Sequence, residues 1–422
     1  MERYGEILLI AMPAFLLLVL VEKWYGVLIK KDTLPLMDMI SSLSSGITNV
    51  TKDVLGLSFA IVSYQWMVEH WALTSISSSL TTYLFAFLAL DFSGYWVHRI
   101  AHRYNVFWNN HIIHHSSEEY NLACALRQSI SVFFKIFTFF LLPAALLGIP
   151  AKVIAVVSPL HLFAQFWYHT KHIGKMGILE KIIVTPSHHR VHHAINKEYI
   201  DKNFSNIFIF WDKWFGTFQE ELPQVAPIYG ITRPVKTWNP IKINFQHLLL
   251  LILDAFRTKS IRNKFTIWFQ PTGWRPPDVA DKYPIDKIDE PECYEKYNPR
   301  ASALLKYWSF LQLFITLLLV SHLFGNIAII NQQNPYHIYI YGLLVFFQVY
   351  SFTDLMDGNK SAPWIELLKN LLMSLWIYET GDWFKASEIY SHSTLVMSLL
   401  VGYLCFSSLL TFYISYRPST SS

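Results

Sequence analysis

Nine apolar stretches recur along this chain, roughly Ile7 to Trp24, Val54 to Val68, Leu80 to Val97, Ile130 to Leu147, Val153 to Trp167, Ala301 to Leu323, Ile338 to Phe352, Trp364 to Ile377 and Leu395 to Tyr413. A lipid interior offers no water to bond exposed backbone, so segments of this kind are expected as helices. Several fall short of the ~20 residues that a perpendicular span needs. Four to eight crossings are therefore expected, with the shorter runs as buried hairpins or interfacial helices. Composition supports a membranous class: 53% of residues are apolar and only 15% charged, against about a quarter charged in soluble domains. The expected fold is all-α and polytopic.

The first stretch begins among Glu2, Arg3 and Glu6, lacks a small-residue cleavage site and continues into Glu22-Lys23-Trp24. It is expected to be an uncleaved span rather than a secretory signal. Lys and Arg concentrate in 22–53, 99–127 and 169–300 and return at Arg417, whereas the connecting segments 73–79 and 326–335 contain none. Short basic loops stay in the cytoplasm, so this asymmetry sets one face of the protein toward the cytosol. Basic residues do not interleave with aromatics on an extended soluble segment, which leaves nucleic-acid binding without support. Cys124, Cys293 and Cys405 are too few and too scattered for a disulfide framework or a thiolate metal site.

Three regions are expected: a catalytic membrane region over 1–256, a cytosolic polar connector over 257–300 and a C-terminal transmembrane helical region over 301–422. The last carries isolated histidines, His322, His337 and His392.

Histidine placement carries the chemistry. Of the chain's 17 histidines, 12 lie between His98 and His193, where an even spread would put about four. His98-Arg99-Ile100-Ala101-His102 continues the run Leu80 to Val97, so one helix sets two imidazoles four residues apart on one face. His111-Ile112-Ile113-His114-His115 places His111 near both later rings, while the adjacent pair diverge by about 100° around a helix. His189-Arg190-Val191-His192-His193 repeats that spacing after Thr185-Pro186-Ser187. Adjacent histidines on such a turn can serve different metals.

A lone pair such as His98 and His102 is equally well read as surface or core histidine. Eight imidazoles in three such words, however, exceed one tetrahedral zinc site and suit two ions. Their face is the one that the basic loops set toward the cytosol, which completes the expected fold: a polytopic helical membrane protein with a cytosolic histidine-rich di-metal site. Gln165-Phe166-Trp167-Tyr168-His169-Thr170 closes the fifth stretch and returns His169 to the same layer as a ninth candidate, with Gln165 as a weaker ligand or hydrogen-bond partner. His161 is expected to pack in the bundle, His188 to orient its neighbours, and His172 has no firm role. Neutral rings leave metal charge uncompensated, so nearby carboxylates are expected to orient them, with Asp91, Glu118 and Asp212 as candidates. Asp91 stands out because an acid near the end of an apolar helix is costly without a partner.

These boxes resemble those of the fatty acid hydroxylase superfamily, which includes sterol desaturases and fatty acid hydroxylases. The words His114-His115-Ser116-Ser117-Glu118-Glu119-Tyr120-Asn121-Leu122 and Ala125-Leu126-Arg127-Gln128-Ser129 resemble its ether-lipid-cleaving branch, the alkylglycerol monooxygenases. So do Gln165 to Thr170, Thr185 to His193, Asp201 to Phe204 and Trp211 to Phe218. The likeness runs from about residue 50 to 270 and more loosely onward.

It implies metal-ligand roles for His98, His102, His111, His114, His115, His189, His192 and His193, with His169 added. It also implies two iron ions, dioxygen as oxidant, tetrahydrobiopterin as reductant and a long-chain lipid substrate drawn from the membrane. On an alkylglycerol, hydroxylation of the carbon next to the ether oxygen gives a hemiacetal that collapses to a fatty aldehyde. Asn121 and Arg127 are implied to shape the site or meet a lipid headgroup. Arg103 stands where animal members carry an acidic residue, so a pterin contact there does not carry over.

The sequence offers no haem-binding domain, so a separate electron donor or a pterin-recycling enzyme is expected. The membrane is the endoplasmic reticulum in a eukaryote and the inner membrane in a bacterium. Two readings compete on the same site, a sterol desaturase or oxidase and a fatty acid hydroxylase. A third, from another class, is a membrane zinc or iron transporter or storage protein; against it, the boxes follow helix ends instead of lining a path.

Overall fold

Most of the apolar stretches become helices, and some of these start at a capping side chain. The computed structural model describes residues 2–58, 62–132, 136–332 and 334–416. Its principal helices are α1 (Glu2–Leu28), α2 (Leu36–Val54), α3 (Leu80–Arg103), α4 (Ala151–Phe163), α5 (Pro186–His192), α6 (Phe210–Trp214), α7 (Pro240–Arg257), α8 (Ala303–Gly325), α9 (His337–Met356), α10 (Ala362–Thr380) and α11 (Ser393–Tyr416). The Ser79 and Ser302 side chains accept from the backbone N–H groups of Thr82 and Leu305, satisfying donors that the first turns of α3 and α8 would leave bare. Asn239 does the same for α7, with Pro240 at the position where a missing N–H costs nothing.

Five helices are long and apolar enough to cross a membrane: α1 from Gly5 onward, α3, α8, α9 and α11. The protein is an all-α, multi-pass membrane protein, and the number of long apolar helices falls within the expected four to eight. The described residues contain no strand, only isolated bridges such as Ile183 with Phe208. Two of the shorter stretches break up. Val153 to Trp167 yields the 13-residue α4, and Ile130 to Leu147 yields short turns, with 133–135 outside the described residues.

Several helices have no counterpart among the apolar stretches, and α2 is the most buried of the long ones. α2 is polar in composition yet buried along most of its length, including Ser41, Ser42, Ser44, Ser45, Thr48 and Thr51. Such short side chains let neighbouring backbones approach closely, as in membrane helix packing. α2 lies against α7, α8 and α9, and α1 also packs on α8. α8 to α11 form a sequential bundle, and one apolar core joins Ile40, Val54, Val320, Phe352 and Met373.

α3 packs on α4 around Ala86, Val153 and Val157, and its C-terminal end delivers the first histidines. The turn Ile112–His115 is anchored by Ile112 and Ile113 against Ile243 of α7.

Candidate di-metal site

The three histidine words and His169 converge into two groups. His98, His102, His111, His115 and His192 form one, and His114, His169, His189 and His193 the other; within each, ligand-capable atoms lie within 4.8 Å of one another. Adjacent histidines fall in different groups because a helical turn points them apart: the His114 and His115 rings are inclined at 88°, and those of His192 and His193 at 89°. The groups abut, with His115 and His193 stacked at 4.3 Å between centroids.

Ring tautomers decide what the convergence means. The Nδ1–H of His98 donates to the Phe204 carbonyl at 2.8 Å, that of His192 to the Lys202 carbonyl at 2.9 Å, and that of His169 to the Gln165 carbonyl at 3.1 Å. In a neutral ring the remaining Nε2 then carries a lone pair. These lone pairs point inward. The Nε2 of His115 lies 3.1 Å from those of His102, His111 and His192. In the second group the Nε2 of His189 is 2.9 Å from that of His169 and 3.0 Å from that of His193.

One nitrogen cannot bond three such neighbours, and His98 Nε2 is buried with no hydrogen-bond partner among the described residues. A cation in each group would satisfy every inward lone pair, so the donor set fits two metal ions. Burial pushes the imidazoles of His111, His114, His115, His189, His192 and His193 well below the ordinary histidine range and holds His169 to about 4. At neutral pH these rings are uncharged, the form that coordinates metal.

Two of the three carbonyls that orient the rings, those of Lys202 and Phe204, sit on the segment after α5. Asp212 of α6 accepts from the N–H groups of Phe204 and Ser205, both at 2.8 Å. Asp91 of α3 accepts from Ile207 N–H at 2.9 Å, Phe208 N–H at 3.1 Å and the Trp211 indole at 2.8 Å. These two acids therefore hold the segment whose carbonyls hold the rings; neither touches any of the nine imidazoles. His161 donates to Asp91 at 2.9 Å, and Gln165 bonds His161 through its side chain while its backbone meets His169. The Gln165 side chain does not enter either group.

Other candidates stand farther off. Glu118 accepts from the Tyr294 hydroxyl and the Tyr297 N–H. Asn121 bridges the Thr33 carbonyl and the Cys124 N–H. Arg127 bonds Ser42, Ser116 and Asp38. His188 completes a capping box with Thr185 at the start of α5, and His172 contacts the Thr33 hydroxyl. Sequence reasoning missed the Lys202 and Phe204 carbonyls, since every residue has a carbonyl and nothing in the letters marks which ones serve.

The fatty acid hydroxylase family model matches residues 83–217, a span that contains all nine histidines. Fold and site thus define a membrane-embedded oxidoreductase of the fatty acid hydroxylase type. The human alkylglycerol monooxygenase is 36% identical over 378 residues, covering 88% of this chain and 82% of that protein. The Danio rerio alkylglycerol monooxygenase is 35% identical over 370 residues, 86% and 81% respectively. An ornithine lipid hydroxylase of Rhizobium tropici is 29% identical over 146 residues, 34% of this chain and 44% of that protein. The chain belongs to the alkylglycerol monooxygenase family. No solved structure matches it.

Proposed function

We propose that the protein hydroxylates the ether-bearing carbon of 1-O-alkylglycerol lipids and so cleaves them to a fatty aldehyde and the free glycerol part. The observation that carries this reading is the pair of inward-facing imidazole groups in a chain similar to alkylglycerol monooxygenases along most of its length. In this reading His98, His102, His111, His115 and His192 hold one iron, and His114, His169, His189 and His193 the other. Bound iron supplies dioxygen activation, with one oxygen atom entering the lipid C–H bond and the other leaving as water. Tetrahydrobiopterin provides the two electrons and two protons.

The chain's own part is positioning and exclusion. Carbonyls of Gln165, Lys202 and Phe204 fix three rings, and Asp91 and Asp212 fix the segment that carries two of those carbonyls. Burial keeps the rings neutral and water away from a strong oxidant. The hemiacetal product collapses by moving its hydroxyl proton to the departing glycerol oxygen, so no protein nucleophile is required. The histidine end faces the cytosol, supported by the basic segments 22–53 and 99–127 on that side and the uncharged connecting segments opposite. The protein resides in the endoplasmic reticulum of a eukaryotic cell or the inner membrane of a bacterial one.

Metal content per purified chain, followed by lipid analysis with 1-O-alkylglycerol, dioxygen and tetrahydrobiopterin, tests the proposal. Two irons with aldehyde formed is the expected result. Two irons without aldehyde would move the substrate to sterols or fatty acids, and zinc alone without turnover would point to metal transport or storage.

A further inference from the structure

Glu22 lies near the C-terminal end of α1, inside a segment long and apolar enough to cross a membrane, and is only 6% exposed. An acid placed there is costly unless something holds it. It also stands outside residues 83–217, the part of the chain that matches the fatty acid hydroxylase family model.

Both carboxylate oxygens are engaged, each by a different histidine-bearing stretch. Oε2 accepts from the Leu122 N–H at 2.6 Å, in the stretch that follows His115, and Oε1 accepts from the Thr170 hydroxyl at 2.5 Å, directly after His169. The same two stretches are joined again where the Tyr120 hydroxyl donates to the Tyr168 carbonyl at 2.9 Å. Thr170 passes the connection on. Its carbonyl accepts from Arg190 Nη1 at 3.1 Å, and Arg190, the residue after His189, donates in turn to Glu221 at 2.7 Å. Bonds therefore run from Glu22 through Thr170 to Arg190, out of a spanning helix and into the segments that carry His169 and His189.

The two imidazole groups differ in how they are held. In the first, His98 and His192 are fixed by the Phe204 and Lys202 carbonyls, on the segment that Asp91 and Asp212 secure. In the second, His169 bonds the Gln165 carbonyl, but His189 Nδ1 is buried with no hydrogen-bond partner among the described residues. The place of the His189 ring thus depends on its backbone, which Arg190 ties to the His169 segment. Hydrogen bonds to an ionised acceptor are the strong ones, so a carboxylate at this junction is well suited to hold the stretches at one spacing.

We propose that Glu22 is a positioning residue for the second imidazole group: its carboxylate clamps the stretch after His115 to the stretch after His169 and so sets the spacing of His114, His169, His189 and His193. α1 is then a working part of the metal site as well as a membrane span. The inference rests on the reading of the two groups as a di-metal site and is independent of which lipid is turned over. Glu22 bonds no imidazole, so it acts on metal through geometry alone, and its loss falls on one group.

The test is a calorimetric titration of metal-free, detergent-solubilised protein with cobalt(II), which reads two equivalents without turnover. His169→Ala identifies the equivalent that belongs to the second group. Glu22→Ala is expected to weaken that same equivalent about 10–100-fold and to leave the other within about twofold of the parent. Glu22→Gln keeps the shape of the side chain and one acceptor oxygen; it should fall between the two, and it supplies the comparison where the alanine variant fails to fold. Lys23→Met controls for a general loosening of α1, since Lys23 donates to Asp32 and, at 2.7 Å, to the Leu34 carbonyl. Its loss should lower the unfolding temperature without moving either equivalent.

Glu22 variants with both equivalents at parental affinity, or with both weakened alike, overturn the proposal. So does a shift as large in Lys23→Met as in Glu22→Ala, or a parent that takes up a single equivalent. If the second equivalent weakens as expected while the iron-loaded parent forms no aldehyde from 1-O-alkylglycerol, the clamp stands and the proposed reaction falls.

Discussion

A single bond from His192 Nδ1 to the Lys202 carbonyl turns a histidine that could serve as donor or acceptor into one with a committed lone pair. The same holds for His98 and His169. Outward hydrogen bonds of this sort raise ligand basicity and fix ring orientation, so the two groups are preset for cations before any arrives. His337 is the useful contrast. Its ring lies against Trp376 at 5.1 Å in the C-terminal bundle, away from every other histidine cluster. His192→Ala should therefore lower metal content and cut turnover by at least ~10²-fold, whereas His337→Ala should leave both within about twofold of the parent. Metal analysis beside the aldehyde assay checks this, and similar losses in the two variants would undo the map. The histidine words were legible in the sequence because imidazole is a distinctive ligand and its spacing encodes direction. The roles of Asp91 and Asp212 were legible only as acids that ought to matter, since their contact with the rings runs through backbone carbonyls.

At the scale of elements, the segment between α5 and α6 carries two of the orienting carbonyls yet has no regular hydrogen-bond ladder of its own. Its shape comes from outside: Asp91 collects two donors from it and a third from Trp211 of α6, and Tyr95, Phe204 and Trp211 form an aromatic cluster with Phe92, Trp96 and Phe208. Burying one such ring contributes about 1.5–3 kcal/mol, so the cluster supplies adhesion while Asp91 supplies register. Asp91→Ala would leave the Ile207 and Phe208 N–H groups, the Trp211 indole and His161 unpaired in a buried place, at about 1–3 kcal/mol for each. The expected outcome is a lower unfolding temperature together with metal affinity weakened roughly 10–100-fold, Asp91→Asn being milder because one oxygen acceptor remains. Unfolding scans and metal titration read the two effects separately. A variant that melts early but binds metal as tightly as the parent would reduce Asp91 to a purely structural role. α3 was readable as a helix running straight into its histidines. α2 was not, because apolar periodicity is the signal for a buried helix, and α2 buries serines whose partners lie far away in sequence, such as Ser41 on the Trp238 carbonyl and Ser45 on the Gln128 carbonyl.

Across the whole molecule, the sequence showed a helical membrane protein but not what binds its last helices together. α8, α9 and α11 are apolar enough to span, while α10 carries Glu366 and Lys369 in its middle. That pair is sealed inside the bundle, with side chains 1% and 0% exposed and 2.7 Å apart. Lys369 also donates to Gln348 at 2.6 Å, Gln348 to Gln312 at 2.7 Å, and Ser351 to Glu366 at 2.6 Å, so the polar lattice ties α8, α9 and α10 into one register. Tyr403 of α11 joins it through the Gln312 and Gln348 oxygens. An ion pair of this kind is strongly destabilising to break from one side but often close to neutral to replace whole, because the damage comes from the charge left behind. Glu366→Gln and Lys369→Met should each cost about 3–5 kcal/mol singly, and the two together should cost less than either alone. Metal content should stay at the parental value in whatever fraction remains folded, since the lattice shares no residue with the histidine groups. Unfolding of the detergent-solubilised protein as a double-mutant cycle gives the comparison. Single variants costing under about 1 kcal/mol would mean that the bundle is held by its apolar faces and that the pair is incidental to its register.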